Sequence, residues 1–110
     1  MDFNRYQELA RRTQNPDLNR HARTQHALYG MCAELGEIHG LYQKVYQGHP
    51  FDVGHLMKEA GDLLWFVGEL CDVFKFDLGD VAAANIDKLR KRYPEGFSED
   101  RSLHREEGDH

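Results

Sequence analysis

The run Leu63-Leu64-Trp65-Phe66-Val67 constrains this chain more than any other stretch. Consecutive large apolar residues wrap the whole circumference of a helix, and such a helix must be covered on every side. In a chain of 110 residues, three neighbouring helices cover it only with difficulty, and a helix-to-helix contact with a second copy would complete the job. The rest of the pattern is helical too. Phe3, Tyr6, Leu9 and Ala10 recur at helical spacing, no segment alternates with period two, and no internal repeat is visible. The expected fold class is therefore all-α, a four-helix bundle completed by homo-oligomerisation.

Punctuation residues divide the bundle. Asp2 is placed to cap a first helix, and "NPDLN" ends it, because Asn and Pro favour a turn. A long second helix is expected from about Arg20 to Tyr46, stopped by Gly48 and Pro50. Asp52 caps a third, which carries the apolar run. A fourth follows "FDLGD", with Asp77 as its cap, and Pro94 and Gly96 close it. Residues 1–98 read as one domain. In 99–110 the only large apolar residue is Leu103, and such a polar tail is expected to be mobile.

A formal net charge of −5, with no strong basic cluster, argues against a nucleic-acid partner. No stretch has the length of a membrane span and the N-terminus lacks the apolar core of a signal peptide, so a cytoplasmic protein is expected. Cys32 and Cys71 lie in apolar helical runs without a Cys-x-x-Cys pattern, and read as small buried hydrophobes.

The chemistry sits in two acidic pairs. "ELGE" places Glu34 and Glu37 three apart on the second helix, and "EAGD" places Glu59 and Asp62 three apart on the third. Residues three apart share a helix face. The 21 residues between Glu37 and Glu59 are enough to finish one helix, turn, and bring the next back antiparallel. Both pairs then meet across the interface. Converging carboxylates oppose each other's ionisation, and hard divalent cations with oxygen ligands, Mg²⁺ or Mn²⁺, relieve that cost.

These motifs, followed by "LLWFV" and then "NIDKLRKRYPEGF", resemble the MazG-like all-α nucleoside triphosphate pyrophosphohydrolases over roughly residues 3 to 98. The resemblance implies Mg²⁺ held by Glu34, Glu37, Glu59 and Asp62, and hydrolysis of a nucleoside triphosphate to monophosphate and pyrophosphate. It also implies a homodimer or homotetramer, and contact of Asn85 and Lys88 with the nucleotide. Lys58 stands where many members double the acid before the second motif; it points away from the metal face, so little effect is expected.

Within that reading Glu37 is the carboxylate expected to orient or deprotonate the water. Arg92 shares a stripe with Asn85 and Lys88, and Lys44 continues the stripe of the first acidic pair; both suit phosphate oxygens. Phe66, one turn beyond Asp62, could wall the base, whereas Trp65 reads as interface or core. Two other readings stand beside this one. A non-catalytic helical module binding nucleotides or a protein partner would not need four converging acids. A carboxylate-bridged redox di-metal protein would want Glu-x-x-His pairs on two helices, which the chain lacks. His55 shares a face with Glu59; His21, His26, His39 and His49 read as surface or helix-end residues.

Overall fold

The computed structural model describes residues 1–110 and is all-helical: α1 Phe3–Arg11, α2 Arg20–Tyr46, α3 Val53–Val73, α4 Leu78–Arg92 and α5 Glu99–Leu103. The first four lie where the punctuation predicts them. Asp2, Asn19 and Asp52 each accept a hydrogen bond from a backbone N–H of the first turn they cap. The end of α2 is a Schellman motif: Gly48 takes φ +94°, while the N–H groups of His49 and Gly48 reach back to the carbonyls of Lys44 and Val45. The same closure ends α3, but there the left-handed residue is Lys75, at φ 61°.

The short link after α2 folds α3 back antiparallel, and facing residues pair in reverse order. Tyr42 meets Phe51 at 4.7 Å between ring centroids, and His26 Nδ1 meets Glu69 Oε1 at 2.6 Å. Helix α1 crosses the far end of this hairpin through Asp72, whose carboxylate accepts from Gln7 Nε2 at 2.8 Å, Arg11 Nη2 at 2.8 Å and Gln14 Nε2 at 2.6 Å. Gln14 also accepts from Arg23, tying the α1–α2 turn to both long helices.

Helix α4 starts differently from the expectation. Asp77 occupies the cap position but makes no side-chain capping bond. The free N–H groups of Leu78 and Gly79 are taken instead by Gln7 Oε1 at 2.7 Å and Asn4 Oδ1 at 2.9 Å, both from α1. Helix α4 is thus docked chiefly on α1 and extends away from the α2–α3 hairpin. Beyond residue 98, where the sequence reads as a bare polar tail, Ser98 caps the short α5 and Asp109 turns back onto α4.

The core is thin. Only Ala27, Leu41, Cys71, Val73 and Leu78 form the buried apolar set, and Leu63 to Val67 are each covered only in part. Cys71 is buried as expected; Cys32 is exposed, because α2 covers only the face carrying Ala27 and Leu41. The surface is 8388 Å², against about 6300 Å² for a compact chain of this mass. The radius of gyration is 17.3 Å, against about 13 Å for a compact domain of this length.

Candidate functional site

Midway along the hairpin the acids converge. Glu34 from α2 and Glu59 and Asp62 from α3 each bring a carboxylate oxygen within 4.8 Å of the others. Glu37, one turn along α2, is exposed and near enough to Glu59 for a hydrogen bond to shape its ionisation. No lysine or arginine pairs with any of the four. The only basic neighbour is His55, whose Nε2 lies 2.9 Å from Glu59 Oε1, one helical turn before it.

Ionisation follows from that crowding. Its hydrogen bond with Glu59, its burial and the charges of Glu59, Asp62 and Glu37 push the Glu34 carboxyl up to about 7. Glu37 is raised as well, first by its hydrogen bond with Glu59. Glu59 is the site where the negative charge settles: hydrogen bonds from Glu34, Glu37 and His55 outweigh its burial and hold it below the usual range. Without a cation, the cluster therefore retains a proton near neutral pH.

Two observations fit a hard divalent ion. Glu34 Oε2 and Glu59 Oε2 are buried with no hydrogen-bond partner, an arrangement native proteins avoid unless something else occupies those lone pairs. The donor set is oxygen only, matching Mg²⁺ or Mn²⁺ rather than a thiolate- or imidazole-seeking metal.

A cleft of about 320 Å³ opens beside the acids, lined by Thr13, Glu34, Asp62, Trp65 and Phe66. Phe66 is held in place. Its ring lies directly over Gly30, where a Cβ would overlap it, and it contacts His26 at 5.5 Å and Trp65 at 5.1 Å between centroids. Trp65 Nε1 donates to Thr13 Oγ1 at 2.8 Å, so the α1–α2 turn closes one end of the cleft. Tyr6 of α1, outside the cleft lining, has its hydroxyl pushed up by burial and then by the charge of Asp62.

The structure brings together Glu34, Glu59, Asp62 and Phe66, with Glu37 at the margin. The expected phosphate contacts are not among the residues of the acidic cluster or of the cleft lining. Lys44 is exposed in the last turn of α2, and Asn85 and Lys88 are exposed on α4. Arg92 is already occupied: its Nε and Nη2 hold Asp109 at 2.9 and 2.7 Å. Sequence reasoning missed Thr13, Tyr6 and Glu69. Glu69 is 1% exposed and bonded by His26, which is exposed as expected and also ties α2 to α3. A glutamate inside "LLWFVGELCDVF" was the available signal for Glu69; nothing in the sequence marked Thr13.

The family model for the MazG nucleotide pyrophosphohydrolase domain matches residues 7–97. The chain belongs to the MazG family. The match spans the acidic cluster, the aromatic cleft and the whole of α4, and stops before α5. No curated protein and no solved structure gave a significant match. A MazG domain is consistent with the all-helical architecture and points to nucleotide pyrophosphohydrolase chemistry.

Proposed function

We propose that the chain hydrolyses a nucleoside or deoxynucleoside triphosphate between the α- and β-phosphates, with Mg²⁺ (Mn²⁺ as substitute), releasing monophosphate and pyrophosphate. One observation carries this reading: carboxylates converge within 4.8 Å with no lysine or arginine paired to them, two of their oxygens orphaned, beside an aromatic-lined cleft.

Glu34, Glu59 and Asp62, with Glu37 at the edge, would hold the ion. Once bound, it supplies positive charge to the phosphate oxygens and acidifies the attacking water. His55 fixes the orientation of Glu59 through their hydrogen bond. Glu37 is the more exposed of the two α2 acids and is the group that takes the proton from water. Phe66, immobilised over Gly30, offers a flat apolar wall to a base. Lys44, Asn85, Lys88 and Arg92 remain the candidate phosphate contacts.

A homodimer or larger assembly belongs to the same reading. The exposed surface exceeds that of a compact chain by about 2000 Å², and obligate dimer interfaces bury areas of that order. The partly covered Leu63 to Val67 and the exposed Val81 and Ile86 of α4 would be covered. Since α4 docks chiefly on α1 within one copy, association is the step that would set its polar stripe beside an acidic cluster. The chain has no helix long and apolar enough to cross a membrane.

A panel of ribo- and deoxynucleoside triphosphates with Mg²⁺, products separated by chromatography, tests the activity and finds the preferred base. Glu37→Gln and Asp62→Asn should each abolish turnover while leaving the helical circular dichroism unchanged. Full activity in both variants would rule out this site.

A further inference from the structure

No other large side chain is buried as deeply as Glu69, and it carries a carboxyl group that the acidic cluster does not use. Its Oε1 lies 2.6 Å from His26 Nδ1, and no lysine or arginine pairs with it. Leucine there would fill the space without desolvating a carboxylate, and apolar replacement of a buried ion pair is often neutral or stabilising. What the carboxylate adds is direction: it fixes the ring to which it is bonded.

That ring bears on the cleft wall. His26 lies 5.5 Å from Phe66 and 6.2 Å from Trp65, centroid to centroid, and both of those rings line the cleft beside the acids. His26, Gly30 and Glu34 fall at successive turns on one face of α2. The Phe66 ring sits over Gly30, so His26 stands one turn to one side of it and Glu34 of the acidic cluster one turn to the other. Phe66 and Glu69, three apart, share a face of α3 and meet the same imidazole. Gly30 gives the Phe66 ring room but no lateral stop. His26 supplies that stop, while Trp65, tied to Thr13, closes edge-to-face on the ring at 5.1 Å. The imidazole is itself 47% exposed, so without Glu69 it would turn freely into solvent.

We propose that Glu69 and His26 are positioning residues for base recognition: Glu69 sets the His26 ring, and His26 holds Phe66 and Trp65 in the arrangement against which a base stacks. Neither touches the substrate. The role of the wall rests on the nucleotide reading; the ordering of the three rings does not.

Trp65 is the only tryptophan in the chain, so near-ultraviolet circular dichroism of its indole reports the order of these rings, and the far-ultraviolet signal reports the helices. Glu69→Leu removes a buried carboxylate and leaves His26 to water, so the helices should remain. Its near-ultraviolet signal should shrink, and KM for the triphosphate should rise about fivefold with kcat changed less than about twofold, the scale of one lost aromatic contact. Glu69→Gln, whose amide still bonds the imidazole, should keep both at native values. His26→Asn sets an amide nitrogen where Nδ1 stands, keeps the buried bond and deletes the rest of the ring; it should raise KM as Glu69→Leu does. A Glu69→Leu chain with native KM and native near-ultraviolet signal would overturn the proposal, as would a Glu69→Gln chain equally impaired. Should Glu69→Leu lose its helices, a native KM in His26→Asn has the same force. The near-ultraviolet comparison involves no turnover, so it decides the ring ordering even if the native chain cleaves no triphosphate, an outcome that would sink the hydrolase reading alone.

Discussion

Replacing Glu34 by glutamine is expected to stabilise the metal-free protein and to erase its response to magnesium. Glutamine has nearly the shape of the protonated acid and can donate to Glu59 as that acid does, but it cannot ionise. In the native chain the Glu34 carboxyl is raised from 4.5 to about 7. Below 4.5 both folded and unfolded chains hold the proton, and the variant has no advantage. Between 4.5 and about 7 the unfolded chain releases its proton first, so native stability falls as pH rises. Above that window the loss is complete. Taken whole, the displacement corresponds to about 3.4 kcal/mol; Glu34 is only partly buried, and solvent screening reduces it to about 1 kcal/mol. For a domain of this size that is about 4 °C in melting temperature. The assay is thermal unfolding by circular dichroism, at one protein concentration, in chelator at pH 8 and at pH 4. Melts with Mg²⁺ at a hundred times its dissociation constant should then add about 2.7 kcal/mol to the native chain and little to the variant. A variant less stable than the native chain at pH 8 in chelator would refute the electrostatic argument. A variant that keeps the full Mg²⁺ gain would refute the assignment of Glu34 as a ligand.

Lys75 holds a left-handed backbone at the end of α3 where glycine is the unstrained choice, so Lys75→Gly should stabilise by about 0.5–1 kcal/mol in chemical denaturation. A loss of stability would mean that the Lys75 side chain contributes more than its backbone strain removes. Gly30→Ala forces the Phe66 ring off α2; with ring atoms 2.2–2.4 Å from the added Cβ, overpacking near the upper end of about 1–3 kcal/mol, less about 1 from better helix propensity, leaves a net destabilisation of about 1–2 kcal/mol. The same change should raise KM for the triphosphate with a smaller effect on kcat, and an unchanged KM would remove Phe66 from the base-binding wall. Asp72→Ala removes the acceptor of three α1 and turn side chains and should cost about 2–3 kcal/mol by denaturant titration. Burial pushes the Asp72 carboxyl up, but hydrogen bonds from Arg11, Gln14 and Gln7 outweigh it and hold it low, so this stabilisation is present above pH 3.8 and disappears as pH falls below it. A native chain that gains stability on acidification through that range would contradict this.

Local signals proved the most readable. Asp2, Asp52, Gly48 and Pro94 mark helix ends by chemistry confined to a turn, and those ends fall where the punctuation puts them. The approach of Glu34 to Glu59 and Asp62 was legible for a similar reason: spacing of three sets a face, and a short link sets an antiparallel return. What the sequence could not carry was contact between distant elements. Asp77 looks like a cap by position, yet Gln7 and Asn4 take the N–H groups of α4, because α1 arrives from seventy residues away. Thr13 enters the cleft for the same reason, brought there by the Asp72 bonds that dock α1. The pairing of Asp109 with Arg92 on α4 is another contact between separate elements, which composition does not carry.

The most direct test of the central claim is where the triphosphate breaks. With Mg²⁺ present and in ¹⁸O-labelled water, the protein should release nucleoside monophosphate and pyrophosphate in equal amounts from the first turnover. Nucleoside diphosphate with orthophosphate as the first products would place the cleavage at another bond and contradict the account.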